Sequence, residues 1–509
     1  MAEQWRPSYS PWLIAASVML ATFMEVLDTS VASVALPHIA GSLSSTVDEA
    51  TWVLTGYLIS NAVILPCTGW LSNFFGRKQY QIISVLLFAV ASAMCGAATS
   101  LWMLVTARVI QGAAGGGLQP ISQAILLESF PREKHGQAMA VYGLGIILAP
   151  LLGPTLGGWI TDQYSWRWVF YINIPVSIAA IMMIQAFVED PPYARRERNL
   201  PIDYIGFGFL ALWLGSLQTI LDKGQEADWF YADWVRWFAV ITVVSMVAFV
   251  VHELRTDHPL VNLRVLRDRN LAVGTFLIGL IGIVIYGTVT LLPLFLQDLL
   301  GYNAYDSGLA VSPRGIGALF SLLIAGRLVG KIDSRILIGV GIAIRALSLF
   351  MLADLNLQIG IWNIVWPNIV NGFANGFLFV PLTTLTMSTL SNQDMGRGTG
   401  LYNLTRNMGA SFGVSIVTTL LMRGAQRHQD LLAGHMSAAN PQFRQLLTQL
   451  EHYFTLHPGT GTALQRAYDV IYTMLRQQAM LLSYVNDFQM LAFLTLACLP
   501  FLLLFRKSR

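Results

Sequence analysis

Glu25 and Asp28 stand three residues apart inside one apolar run, and Arg108 stands inside another. An ionisable side chain at the centre of a membrane span costs at least about 2.5 kcal/mol, so its presence calls for a partner or a task. A spacing of three puts both acids on one helix face, which Thr22, Thr29 and Ala32 extend as a polar or small stripe. At 1.5 Å per residue, Asp28 lies about 13 Å from one end of its span, Glu25 lies close to the midplane, and Arg108 lies about 10 Å in from the same side as Asp28. A carboxylate and a movable guanidinium at comparable depth are the parts of a proton-exchange site. The alternatives are a static buried ion pair that fixes helix packing and, for Glu25, a carboxylate solvated by a central cavity.

Beyond Arg108 the same run carries Gln111, Gly112, Gly115, Gln119 and Gln123 at helical spacing, a face suited to lining a cavity, with the glycines equally explained by close helix packing. Arg406 falls near mid-depth with Asn403 and Asn407 on its face, and Arg314 falls about ten residues into its run; either could balance Glu25 or hold an anionic group. Arg345 fits a side chain snorkelling to a helix end. In 143–159, Gly153-Pro154 and Gly157-Gly158 are four residues apart, which predicts a kinked, tightly packed seam. No glycine loop of the phosphate-binding kind and no zinc or iron–sulfur cysteine spacing occurs, so no nucleotide, metal or other cofactor is expected and pumping would draw on an ion gradient. His428, His435, His452 and His457 are irregularly spaced and read as solvated.

The elements that must hold these groups follow from composition. Of 509 residues, 55% are hydrophobic and 12% charged, against about 25% charged in soluble domains. That excludes a conventional soluble enzyme. The balance of 31 basic and 28 acidic residues gives no reason to expect nucleic acid, and Cys67, Cys95 and Cys498 lie in apolar runs as buried thiols. Fourteen runs are long enough to span about 30 Å of hydrocarbon: 11–37, 51–72, 80–99, 101–127, 137–160, 168–188, 203–221, 235–252, 271–297, 307–329, 335–353, 361–387, 398–422 and 480–505. The first is too long and too charged for a signal peptide.

With the N-terminus inside, inner segments carry nineteen Lys and Arg, while the short outer connections carry only Arg167, Lys223 and Arg236. Both termini are therefore expected in the cytoplasm. A basic, glycine-led turn recurs, GWLSNFFGRK at 69–78 and GRLVGKIDSR at 326–335, which divides the all-α chain into six, two and six spans. The expected parts are a first bundle at 1–200, an inserted pair at 201–254 and a second bundle at 255–509. The second bundle includes a long outer loop, 423–479, with amphipathic stretches at 442–456 and 462–478.

These residues form a pattern that resembles the major facilitator superfamily, and within it the 14-span drug:proton antiporters of the EmrB/QacA subfamily, over nearly the whole chain. The resemblance rests on FMEVLDTSVASVALPHI (23–39), RVIQG (108–112), LLGPTLGGW (151–159), WRWVFYINIP (166–175) and LQTILDKGQEADWF (217–230). It implies a multi-pass inner-membrane protein that exports hydrophobic or amphipathic compounds by alternating access in exchange for protons. Asp28 would be the protonation site and Arg108 its coupling partner, with Glu25 assisting, a fifth-span seam favouring antiport, and Gly69, Asn73, Gly76, Arg77 and Lys78 forming a gating turn. It further implies a periplasmic adaptor and an outer-membrane channel as partners at 423–479, for which the alternative is a lid over the outer vestibule. Asn73 and Phe74 depart from the family's Asp and Arg in the gating turn, Ala149 from a glycine, and Glu25 from a common Gln. Other readings of the residues are a symporter or facilitator for one metabolite, a polytopic enzyme acting on lipid, or a channel or sensor.

Overall fold

The computed structural model describes residues 7–191, 201–437, 439–457 and 459–506. Six of the nineteen inner Lys and Arg, Arg6, Arg195, Arg196, Arg198, Lys507 and Arg509, lie outside them. In lipid every backbone group must be satisfied internally, which an apolar run achieves locally only as a helix. Among the described residues there is no strand beyond an isolated Val329–Ile332 bridge.

Helices of eight residues or more are numbered here. The first group is α1 (Pro11–Ser42), α2 (Trp52–Ile64), α3 (Thr68–Phe75), α4 (Arg77–Gly96), α5 (Leu101–Gly115), α6 (Leu118–Ser129), α7 (His135–Gln163) and α8 (Asn173–Phe187). The pair α9 (Tyr204–Lys223) and α10 (Asp233–Arg255) follows. The second group is α11 (Arg269–Leu294), α12 (Ala304–Val311), α13 (Pro313–Leu328), α14 (Ser334–Ala353), α15 (Trp362–Met387), α16 (Met395–Ala433), α17 (Pro441–Leu456) and α18 (Ala463–Leu496).

Twelve helical stretches among the described residues are long and apolar enough to cross a membrane, and the two arms of α7, bent by 42°, would add a thirteenth. The run at 101–127 is divided. Three consecutive glycines, each about 1 kcal/mol less favourable in a helix than alanine, end α5 at Gly115, and α6 begins after a two-residue turn. The turn also lets backbones meet, since a Cβ on Gly116 would lie 2.7 Å from the Asn61 carbonyl.

Both described ends of the chain sit at one end of the bundle. Ser8 N donates to Glu189, Lys78 N to Asp190, Arg77 to the Asn392 carbonyl, Thr389 to Asp268 and Asn270 to the Arg506 carbonyl. A core cluster crosses between the two groups of helices here, and the rings of Tyr142 and Phe379 stack within it at 5.9 Å. The pair α9–α10 packs Leu210, Leu214 and Phe249 against Val63, Leu65, Leu401 and Leu404, while Val243, Val244 and Val247 on α10 face outward.

α16 has 39 residues and α18 has 34, so at 1.5 Å per residue they run about 58 and 51 Å, well beyond about 30 Å of hydrocarbon. The segment 423–479 is accordingly mostly helix: the end of α16, all of α17 and the first half of α18. A capping box of Thr462 and Gln465 starts α18, and Arg466 lies over the Phe454 ring at 4.2 Å.

Candidate functional site

Asp28 on α1 and Arg108 on α5 meet. Arg108 Nη1 donates to Asp28 Oδ2 at 2.5 Å, and both side chains are fully buried. Asp28 Oδ1 accepts from Asn173 Nδ2 at 2.6 Å and from Gln111 Nε2 at 3.1 Å. Ser92 Oγ accepts from both of those amides and donates to the Phe170 carbonyl. Arg108 also donates through Nε to the Val53 carbonyl at 3.2 Å and through Nη1 to Gln111 Oε1 at 2.7 Å, with its guanidinium 4.2 Å from the Tyr57 ring centroid. Gly112 makes this approach possible: a Cβ there would lie 2.3 Å from both Ser60 Oγ and the Tyr57 carbonyl, so α5 can press against α2 only without one.

Glu25, one turn along α1 from Asp28, belongs to a second layer. Its carboxylate accepts from Tyr57 Oη at 3.0 Å, Asn61 Nδ2 at 3.2 Å and Gln119 Nε2 at 2.7 Å. Gln119 in turn accepts from Arg406 Nη2 on α16, and Gln123 Oε1 accepts from Asn403 Nδ2 at 2.6 Å. These two bonds link the first group of helices to the second at the middle of the bundle. Arg406 therefore reaches Glu25 through one amide. Asn407 lies half-buried one residue further along and accepts from Ser411 Oγ through its carbonyl. Arg314 stands apart from this layer, on α13.

The predicted seam lies between α7 and α1. A Cβ on Gly153 would meet Ser30 Oγ at 2.1 Å and one on Gly157 would meet Val31 at 3.0 Å, whereas Gly158 faces open space. Pro154 falls between the two arms of the α7 bend.

The glycine-led turn lies at the end that carries both described chain ends. Gly76 takes φ +84°, which a side chain would strain, and separates α3 from α4. Arg77 pairs with Glu128, both buried, and donates to the Asn392 carbonyl across the two groups at 3.1 Å. Lys78 Nζ donates to the Gln185 carbonyl at 2.7 Å. Gly69 packs against Arg397, whose Cα would be 3.0 Å from an added Cβ. Asn73 is half-buried beside Phe74, whose ring stacks on Trp70 at 5.0 Å. The turn is thus tied across the bundle through Arg77 and Gly69, three positions on from and four before the departing Asn73-Phe74 pair.

Tyr57, Asn61, Ser92, Asn173 and Tyr142, whose Oη donates to the Gln119 carbonyl at 3.2 Å, join the site without being conspicuous in the sequence. Tyr57 and Asn61 are four residues apart on α2, a helical polar face, and Asn173 lies in the WRWVFYINIP stretch. Arg345, expected to snorkel, is 1% exposed and bonds Asn371 and Asn375 instead.

Residues 18–414 match the family model described as Major Facilitator Superfamily. The chain is 36% identical over 483 residues to the multidrug export protein EmrB of Escherichia coli K12, covering 94% of this chain and 92% of that one. It is 37% identical over 427 residues to the fatty acid resistance protein FarB of Neisseria gonorrhoeae, covering 83% of each. The fold matches a double-tryptophan mutant of XylE with a TM-score of 0.63 at 15% identity, over 99% of this chain and 98% of that one. A helical bundle with this many membrane-crossing stretches, matched by family, relatives and fold alike, is a multi-pass membrane protein, and the chain belongs to the major facilitator superfamily.

Proposed function

We propose that the protein is a proton-coupled antiporter of the inner membrane that exports hydrophobic or amphipathic compounds by alternating access, a multidrug efflux transporter rather than an enzyme. The observation that carries this reading is the Asp28–Arg108 pair: a carboxylate buried in a membrane bundle, held by a guanidinium and two amides, in a chain 36% identical to a multidrug export protein over most of its length.

The ionised carboxylate is stable here only while Arg108 faces it, because a buried charge left without its partner costs about 3–5 kcal/mol. A proton arriving at Asp28 neutralises the carboxylate and frees Arg108 to move, and return of Arg108 expels the proton. Glu25 supplies a negative charge to the central layer, where cationic substrate groups would compete with the amide donors. Gln111 joins the proton site, and Gln119, Gln123, Asn403, Arg406 and Asn407 line the path with it. Gly153 and Gly157 form the seam along which α7 moves on α1, with Pro154 at the bend of α7, while Gly158 faces away from it. Gly69, Asn73, Gly76, Arg77 and Lys78 close the end that carries the chain ends, which is the cytoplasmic side in this reading.

Fourteen spans arranged six, two and six, with both termini in the cytoplasm, accommodate the divided α5–α6 run and the bent α7 as one span each. The parts are then 1–200, 201–254 and 255–509. No nucleotide is required, since the proton gradient drives the cycle. The helical projection at 423–479 would meet a periplasmic adaptor and, through it, an outer-membrane channel.

The test is dye efflux from cells expressing the protein, with and without an uncoupler, beside Asp28→Asn. The variant should reach the membrane folded and lose gradient-driven efflux; full efflux in it would overturn the proton-site assignment.

A further inference from the structure

Arg345 and Arg314 stand among helices that hold no acid: α13, α14 and α15 contain not one Asp or Glu. Arg345, twelfth of the twenty residues of α14, donates to Asn371 Oδ1 at 3.0 Å and to Asn375 Oδ1. Its Nε–H is buried and has no partner among the described residues. The same holds for Asn371 Nδ2 and Arg314 Nη2. Arg345 and Asn371 are at most 1% exposed, while Arg314 is half-buried.

The three residues belong to one packed cluster: Arg345 bonds Asn371, and α13 and α15 touch through their backbones beside Arg314 and Asn371. A Cβ on Gly372, the residue after Asn371, would lie 1.8 Å from the Arg314 carbonyl oxygen. All three unpaired atoms are donors, they come from three helices, and two belong to cations. The first group of helices answers its buried guanidinium with a carboxylate, as Arg108 meets Asp28. Here two amide oxygens supply only partial charge, and a water molecule could accept the bonds but would leave the charge uncompensated.

We propose that this cluster is an anion site, in which a singly charged anion, chloride or the carboxylate head of an amphipathic molecule, accepts from Arg345 Nε, Asn371 Nδ2 and Arg314 Nη2. Both sources share what the donors require: one negative charge and lone pairs without a competing donor. Half-buried Arg314 is the side from which the anion enters. The site is separate from the Asp28 and Glu25 layers and does not depend on the efflux reading.

The experiment measures the unfolding temperature of the purified full-length protein in lipid nanodiscs. Isethionate, chosen as a bulkier reference anion, is replaced by chloride or by butyrate at constant ionic strength. A ligand of the native state raises that temperature in a saturable way. The wild type should show such a rise, and Arg314→Gln and Asn371→Leu should lose it, while Arg427→Gln on the exposed end of α16 should keep it. Arg345→Gln removes the central cation and is informative if it folds; Arg314→Gln, at a half-buried position, carries the test if it does not. A rise with chloride identifies an inorganic anion, and a rise with butyrate alone identifies a carboxylate head. No saturable rise with either anion, as expected if water alone meets the donors, overturns the proposal, as does an unchanged rise in both Arg314→Gln and Asn371→Leu. Either failure leaves the Asp28→Asn efflux test untouched.

Discussion

Glu25→Gln tests whether the central polar chain has a direction. Glu25 only accepts, from Tyr57, Asn61 and Gln119, and because Gln119 turns its Nε2 to the carboxylate it turns its Oε1 to Arg406. A glutamine at position 25 keeps one acceptor and presents an amide NH2 in place of Oε2, against the NH2 of Gln119. Flipping Gln119 relieves that clash but points its NH2 at the Arg406 guanidinium. Either arrangement loses one hydrogen bond to a charged group, which contributes about 1.5–3 kcal/mol, or about 10- to 150-fold in the folding equilibrium. The exchange Glu25→Gln with Gln119→Glu reverses the chain: the amide at 25 donates to the carboxylate at 119, which accepts directly from Arg406. Denaturant unfolding of the wild type, the two single variants and the double variant in detergent gives the coupling. The double variant should be more stable than the sum of the singles by at least about 1.5 kcal/mol. A Glu25→Gln protein within about 0.5 kcal/mol of wild type, or strictly additive singles, would refute the directional chain.

Two further outcomes follow from the close approaches. Gly112→Ala should destabilise the protein by about 1–3 kcal/mol and lower efflux, because its Cβ would overlap Ser60 and the Tyr57 carbonyl and the separation of α5 from α2 draws Arg108 from Asp28. Gly158→Ala, which meets open space, should be neutral or stabilising by up to about 1 kcal/mol through helix propensity; thermal unfolding of the two variants side by side checks the contrast. Cysteines placed by Gly69→Cys and Arg397→Cys should cross-link on oxidation and stop efflux until reduced, since an added Cβ at 69 lies 3.0 Å from the Arg397 Cα. Undiminished efflux by fully linked protein would mean that this end does not need to open.

Depth arithmetic along single helices places Asp28 and Arg108 at comparable depth, because charges in an apolar run are rare enough to stand out and a helix converts residue number into depth. It could not recover Asn173, Ser92, Tyr57 or Asn61. Neutral polar side chains cost far less in a membrane span than charges do, so they do not stand out, and their convergence on Asp28 and Glu25 arises from packing between helices remote in sequence. Arg345 shows the same limit from the other side. Sequence alone gave it a helix end to reach, but α15 presents Asn371 and Asn375 at one face and Gly372 between them, and that neighbouring surface decides where the guanidinium goes.

The long segment 423–479 was legible as amphipathic stretches but not as the continuation of two spans. Hydropathy falls where α16 and α18 leave the lipid, while backbone hydrogen bonding does not, so the helices outlast the apolar signal that revealed them. α17 then rests on α18 through contacts such as Arg466 over Phe454. The projection and the Arg406 layer are thus parts of one continuous helix, α16. A rotation of α16 that alters the Arg406–Gln119 bond at mid-membrane must also displace the projection, about 26 residues away along the same helix or roughly 40 Å at 1.5 Å per residue. A partner that binds the projection more tightly in one orientation of α16 than in another would bias the central layer, and the central layer would bias its binding in return.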